Sequence, residues 1–328
     1  MKKKVIFVLI VLLVLSFFLV FKYRNNAKAC YDAKRNCKEV FERFNFIDLI
    51  NVVLQYDPTK QWYEFAEKTH KEVVKNARLD ENGIALNVRE KKAEYNPVTI
   101  SQYGLNNYGF YILYNDESYL KIAIKQADYL VEMQDKENGN FYYYFDYFVY
   151  GTDETLKSPW ISAMAIGNIL SLYSRIYSVT KDQKYIDSAN LALKPLRMEV
   201  SEGGLVSYFD GHKFYEEYPT TKGNFTLNGF MFTLIGLYDY VTVTGNAVAK
   251  KLYDEGLETL KYVLPYYDSA GISLYHLAHL YYPNQAAYYN RKYHVIHIAQ
   301  LDLFYQIDGS EIFKHYSELW KNYVIGDE

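Results

Sequence analysis

Residues 115–145 read NDESYLKIAIKQADYLVEMQDKENGNFYYYF, and residues 180–209 read TKDQKYIDSANLALKPLRMEVSEGGLVSYF. In each, an aspartate (Asp116, Asp182) stands just before a stretch with apolar residues at three-and-four spacing. A glycine turn and an aromatic, strand-like tail follow. Aspartate is a favoured N-cap, and that spacing puts one apolar stripe on a helix. A looser copy begins at Gly245, and DGSEIFKHYSELWKNY from Asp308 is a truncated fourth. Between the copies lie segments 159–178, 225–242 and 294–307, apolar on every side, as buried helices are. Each period therefore holds one amphipathic and one apolar helix, which is the pattern of stacked helical hairpins. If the hairpins close, the apolar helices form an inner ring and the aromatic-rich loops gather at one end. The predicted fold is mainly α, an incomplete (α/α) toroid with a small N-terminal β-containing segment.

Outward from this core the text changes. Asn82-Gly83 followed by alternating apolar residues predicts a hairpin, 61–78 predicts a helix, and 38–57 reads as a stalk or short helix. Lys2, Lys3 and Lys4 precede an apolar run from 5 to 21, long enough to span a bilayer. It reads as a signal anchor. The rival is a cleaved signal, for which Ala27-Lys28-Ala29 supplies a small-x-small site. Either way the remainder is expected to be extracytoplasmic. The only two cysteines, Cys30 and Cys37, would close a local turn in an oxidising compartment. The expected division is an anchor and flank at 1–29, a stalk and small segment at 30–94, and the toroid at 95–328.

The 328 residues are half hydrophobic with a net charge of −3, which leaves no electrostatic case for nucleic acid. Tyrosine is abundant, at 37 residues. Its flat apolar face and hydroxyl suit sugar rings, although most tyrosines are expected to pack between helices.

Two stretches carry candidate chemistry. In YEEYPTTKGNFTLNGF, 215–230, Glu216, Glu217 and Tyr218 precede an apolar helix, and Pro219 and the Gly223-Asn224 turn stiffen the flanks. A charged pair so placed either faces solvent or lines a pocket. The second, 267–304, contains Tyr275, His276, His279, Arg291, Tyr293, His294 and His297. His276 with His279, and His294 with His297, have a spacing that shares a helical face. With no cysteine or carboxylate pair nearby, orienting neighbours or binding sugar hydroxyls is preferred to a metal site. No metal or cofactor is expected. Trp160, Met164, Met231 and Phe232 fall on apolar faces and read as core, with Trp160 also counted as a candidate sugar contact. Asn228 either caps its helix or projects into the cleft.

YEEYPT, FTLNGFMFTLIGLYD, SPWISAMAIGNILSLYSRIYSVTKD and YHVIHIAQLDLF resemble, in order and spacing, the C-terminal region of the glucuronyl 5-epimerase family, and YNPVTISQYGL at 95–105 resembles its entry into the helical domain. The resemblance covers roughly residues 80 to 325. It implies an (α/α) barrel, a type II membrane protein, and conversion of glucuronate to iduronate in heparosan-like chains by removal and return of a proton at carbon 5. Glu217, Tyr218, Tyr275 and Tyr293 match the family's active-site positions. Glu217 and Tyr293 are assigned as the acid/base pair and Tyr275 is the next candidate. Tyr293 would act as a donor, or as a base if His294, His297 or Arg291 depressed its pKa. Asn228, Arg291, His279, His294, His297 and Trp160 are the expected substrate contacts. The expected partners are a uronate-containing polysaccharide and, through the N-terminal helix, a membrane; a homodimer is compatible with the sequence.

Two departures stand out. Ala278 falls where the family pattern has an arginine suited to a substrate carboxylate, and Ile166 replaces a usual glutamine. The loss leaves three readings open: a substrate other than heparosan, Arg291 or Lys292 as the substitute, or an inactive protein. Three rivals remain: a polysaccharide lyase, a glycoside hydrolase drawing on Glu216, Glu217, Asp239 and Asp268, and a non-catalytic membrane-tethered glycan-binding protein.

Overall fold

Each apolar helix ends on a residue in the left-handed region, and the next residue or two start an amphipathic helix. Asn115 (φ 52), Lys181 (φ 58), Gly245 (φ 70) and Gly309 (φ 76) are the four C-caps. Asp116, Asp182 and Asn246 then accept backbone N–H bonds from Ser118, Lys184 and Ala249 as N-caps. The repeat seen in the sequence is thus a repeated turn, a left-handed cap that reverses the chain followed by a polar cap that restarts it.

The computed structural model describes residues 55–89 and 91–325. Its helices are α1 (Glu67–Lys75), α2 (Pro97–Tyr114), α3 (Glu117–Met133), α4 (Ala163–Thr180), α5 (Gln183–Ala192), α6 (Leu227–Thr244), α7 (Ala247–Tyr267), α8 (Arg291–Asp308) and α9 (Glu311–Ile325). The strands form three small antiparallel units. They are β1 (Arg78–Leu79), β2 (Ala85–Arg89) and β3 (Lys92–Glu94); β4 (Tyr147–Phe148) with β5 (Thr155–Leu156); and β6 (Val206–Phe209) with β7 (His212–Tyr215). Helices α2, α4, α6 and α8 pack side by side in chain order, and α3, α5, α7 and α9 back them. This is the incomplete toroid that the repeat predicts.

Inner helices α4 and α6 touch along their backbones. A Cβ built on Gly236 would lie 2.0 Å from the Gly167 carbonyl oxygen, and one on Gly167 would lie 2.3 Å from that of Phe232. Any side chain there would push the two helices apart. Beside this contact, Arg175 of α4 and Asp239 of α6 form a fully buried ion pair at 2.7 Å. The Tyr56 hydroxyl and the Lys60 and Ser171 carbonyls also accept from the guanidinium. Together these bonds fasten the entering segment to the inner ring.

The Asn82-Gly83 hairpin forms as β1–β2 with Leu79 opposite Ala85. The helix expected over 61–78 is shorter, covering Glu67–Lys75. Trp62 and Tyr63 are instead buried against Phe232, in a turn closed by the Phe65 N–H on the Trp62 carbonyl. The anchor at 5–21, Cys30 and Cys37, and the stalk to residue 54 lie outside the described residues. None of the described helices is long and apolar enough to cross a membrane.

Candidate active site

Glu217 leaves β7 on a loop pinned from three sides. The Glu216 N–H donates to the Leu205 carbonyl, the Glu216 carbonyl accepts from the Ala163 N–H, and the Glu216 carboxylate accepts from the Phe225 N–H at 3.0 Å. Both glutamates are buried, so the acidic pair faces the interior and not solvent. Glu216 is an anchor for the loop. Glu217 sits against the start of α6 at Gly229, and its Oε2 has no hydrogen-bond partner. Burial raises the Glu217 carboxyl to about 7, with the Tyr218 hydroxyl drawing it down.

A cage of phenols surrounds it. Burial first, and the Glu217 charge second, hold the Tyr275, Tyr293 and Tyr143 hydroxyls above their ordinary range; Tyr293 reaches about 12. The Tyr275 and Tyr293 rings lie 4.6 Å apart, and Tyr218 stacks on Tyr147 at 5.1 Å. Tyr275 is held by backbone bonds to Leu227 and Tyr288, and Tyr293 rides in the first turn of α8. Glu217, Tyr218, Tyr293, Trp160 and Arg89 line a cleft of about 210 Å³. It is joined through Tyr147, Tyr218 and Tyr293 to a pocket of about 180 Å³ containing Tyr275. A third hollow of about 530 Å³, with Trp62 and Lys292, shares Val98, Met164 and Tyr293 with the first. Tyr293 therefore borders all three, at the middle of a groove.

Several expected contacts lie elsewhere. His294 and His297 are fully buried behind α8, where Ser273 bonds the Nδ1 atoms of both and the Trp320 carbonyl meets His294 Nε2. Neither lines the groove. Burial lowers both imidazoles, to about 4 for His294, so they stay neutral. Tyr293 goes up and not down, because burial and a nearby carboxylate both oppose the phenolate. Arg291 borders none of the three hollows. His276 and His279 do not share a helix face. His276 precedes a short 3₁₀ turn, Ala278–Leu280, that carries His279, and it stacks under Tyr288. His279 borders none of the hollows either. Asn228 is not the cap, since Thr226 holds that position; its side chain is fully buried with both amide atoms unpartnered.

Trp160 is core and cleft together. It stacks on Tyr143 at 4.1 Å and gives its N–H to the Phe145 carbonyl while bordering the groove. Ala278 and Ile166 are both buried in the apolar interior. Tyr143, Tyr147 and Arg89 were not among the sequence candidates. The two tyrosines belong to the aromatic tail of the first repeat, whose density was the available signal. Arg89 lies on β2, six residues before the nearest recognised motif and in none of them.

The chain is similar to known proteins in sequence and in fold. A family model described as D-glucuronyl C5-epimerase C-terminus matches residues 134–322. The D-glucuronyl C5-epimerase of Caenorhabditis elegans is 36% identical over 186 residues, 52% of this chain, and the match spans 30% of the nematode protein. An uncharacterised protein of Methanocaldococcus jannaschii is 29% identical over 219 residues, covering 62% of this chain and 68% of that one. Among solved structures, the α-1,6-mannanase of Salegentibacter sp. HEL1_6 superposes with a TM-score of 0.53 at 17% identity, covering 80% of this chain and 70% of the other, a likeness of fold alone. With more than half its length matched by the model, the chain belongs to the D-glucuronyl C5-epimerase C-terminal family.

Proposed function

We propose that this family member is an isomerase that inverts carbon 5 of a uronate residue within a polysaccharide, taking glucuronate to iduronate in a heparosan-like chain. The observation that carries the reading is the pairing of Glu217 with Tyr293 on one cleft, with the carboxyl near 7 and the phenol near 12. At neutral pH one group is ready to take a proton and the other to give one.

Glu217 removes the carbon 5 proton, and the C–H electron pair moves into the carboxylate as an enediolate. Tyr293 then delivers its hydroxyl proton to the opposite face of carbon 5, leaving a phenolate beside a protonated Glu217. Exchange with solvent restores both. Tyr275, 4.6 Å from Tyr293 by ring centroid, and Tyr218 supply hydroxyls to the developing charge. The continuity of the groove on both sides of Tyr293 favours a polymer over a free sugar.

A hydrolase requires two carboxyls across the scissile bond. Glu217 is the one carboxyl lining the cleft itself among the described residues, and Glu64, which borders the adjoining hollow, accepts from the Tyr63 hydroxyl. Of the rival acids, Glu216 holds Phe225, Asp239 pairs with Arg175, and Asp268 accepts from Trp320 and Tyr323. A lyase shares the first step and differs only in expelling the carbon 4 substituent.

Incubation with glucuronate-containing polysaccharide in deuterated water separates these outcomes. Deuterium at carbon 5 without chain cleavage is expected, unsaturated chain ends would indicate a lyase, and no exchange in any uronate glycan would refute both. The reading also keeps the N-terminal run as a membrane anchor, which resistance to alkaline extraction of the full-length protein tests.

A further inference from the structure

We propose that Arg89 binds the carboxylate of the reacting uronate, in the place of the arginine that this chain lacks at position 278. The proposal rests on the epimerase reading of the cleft and names the residue that completes it.

Removing a proton beside a carboxylate puts a second negative charge on that group, so the cleft needs a cation or strong donors where the carboxylate sits. Ala278 cannot supply one, and its site is sealed in the core. Among the residues lining the Glu217 cleft, Arg89 is the one cation. Lys292 borders the neighbouring hollow, and Arg291 borders neither.

Arg89 is held in place yet chemically unspent. Its guanidinium lies over the rings of Phe145, at 5.2 Å, and Tyr147, at 5.1 Å. One nitrogen, Nη1, donates to the Asp146 carbonyl at 2.9 Å. The two rings and this bond fix the plane of the group, which lowers the entropy lost on binding. Among the described residues it has no carboxylate partner. The Asp146 carboxylate beside it is engaged by Lys157 at 2.6 Å and by the Ser158 N–H. The residue borders a cleft whose lining carries no other fixed charge except Glu217.

The two charges act from separate positions. The Tyr147 phenol is raised by burial and by Glu217 and lowered by Tyr218 and by Arg89, so it stands within reach of both. Burial and Tyr218 account for the Glu217 shift, with no cation contributing, and no ion pair joins the two residues. That separation suits the reaction. A cation in contact with Glu217 would hold it ionised and weaken it as a base, whereas one that lines the same cleft without pairing with Glu217 can grip the carboxylate and leave the base its strength. Arg89 comes from β2, so the small N-terminal sheet, which otherwise only flanks the toroid, contributes a wall of the active site.

The test measures binding and exchange together on the full-length protein. The probes are a glucuronate-containing oligosaccharide and the same oligosaccharide with its carboxyl groups reduced to alcohols. The wild type is expected to prefer the carboxylated probe by about 10- to 100-fold, the range of a charge-assisted contact. Arg89→Ala should abolish that preference. Arg89→Lys should restore part of it, since charge remains and the bidentate fork is lost. Lys92→Ala, on the exposed partner of Arg89 in the hairpin, should leave it unchanged and so control for folding. A preference that survives Arg89→Ala, or a wild type that shows none, overturns the proposal. Carbon 5 exchange in the same samples keeps the two readings apart. An Arg89-dependent preference without exchange sinks the epimerase reading and leaves the carboxylate site. Exchange that is equal in wild type and Arg89→Ala sinks the carboxylate site alone.

Discussion

A methyl group added at position 229 tests the placement of Glu217 directly. Gly229 lies in the first turn of α6, and a Cβ there would stand 2.2 Å from Glu217 Oε2, 2.6 Å from its Cβ and 2.9 Å from its carboxyl carbon. Ordinary contacts between such atoms fall at about 3.5–4.0 Å, so the carboxyl must retreat by more than about 1 Å. Both ends of the side chain collide, so turning one bond does not relieve the clash, and the loop itself has to move. Overpacking of this kind costs about 1–3 kcal/mol, and alanine in place of glycine inside a helix returns about 1 kcal/mol. Gly229→Ala should therefore lose no more than about 2 kcal/mol of stability, a drop of several degrees in melting temperature. A catalytic group misplaced by about 1 Å typically costs on the order of 10²-fold in rate. The expected signature is a folded protein with carbon 5 exchange reduced about a hundredfold, read by thermal melting and by deuterium incorporation on one preparation. A Gly229→Ala protein that exchanges at the wild-type rate would falsify the assignment of Glu217 as the proton acceptor.

Two further substitutions separate stability from chemistry. The folded-state pKa of Glu217 is raised from 4.5 to about 7, so the protonated form favours folding below about pH 4.5 and that contribution is lost as pH rises through about 7. Glu217→Gln removes the titration; denaturant melts should show it more stable than wild type by up to about 3 kcal/mol at pH 9, with the gap closing toward pH 4.5. A constant gap across that range would contradict the burial argument. Tyr293→Phe keeps the ring against Tyr275 and deletes only the donor; carbon 5 exchange should fall by about 10²-fold or more while the melting temperature stays within a few degrees, and undiminished exchange would remove Tyr293 from the mechanism.

The helical hairpins were legible because their signals are local. A left-handed cap, a polar N-cap and a three-and-four stripe each occupy a few consecutive residues, and the chain repeats them. Glu217, Tyr218, Tyr275 and Tyr293 were legible through the family resemblance, and the structure brings all four to one groove. The histidine pairs misled because spacing alone does not say which side of a helix faces the cleft. His294 and His297 do share a face, and it is the one packed on Ser273 and Trp320. His276 and His279 fail earlier, since their segment is not an α-helix. Arg89 was out of reach for the opposite reason. Its relation to Glu217 is a contact between a short sheet and a toroid, separated by more than a hundred residues, and no periodicity encodes it. The same holds for the direction of the Tyr293 shift, which is set by burial in the assembled cage and not by the basic residues near it in sequence.

Burial moves both members of the proposed pair upward, and this has a consequence for reversibility. With the carboxyl near 7 and the phenol near 12, the form with Glu217 ionised and Tyr293 protonated is the dominant tautomer in the free protein. That form acts on one epimer; the tautomer, with Glu217 protonated and Tyr293 as phenolate, acts on the other. The two carry the same number of protons, so their ratio does not change with pH. Rates measured from glucuronate and from iduronate should therefore rise together through about pH 7 and hold until the phenol begins to ionise. Distinct lower limbs for the two directions would require a further titrating group at the site, and His294 and His297, neutral and turned toward Trp320, are not placed to be it. The scarcity of the tautomer must be offset once substrate is bound. A cation on the substrate carboxylate lowers the barrier in both directions alike without touching Glu217, because it stabilises the enediolate that both share. On the proposed reading, an Arg89 that does not pair with Glu217 would serve the substrate carboxylate in both directions without weakening the base.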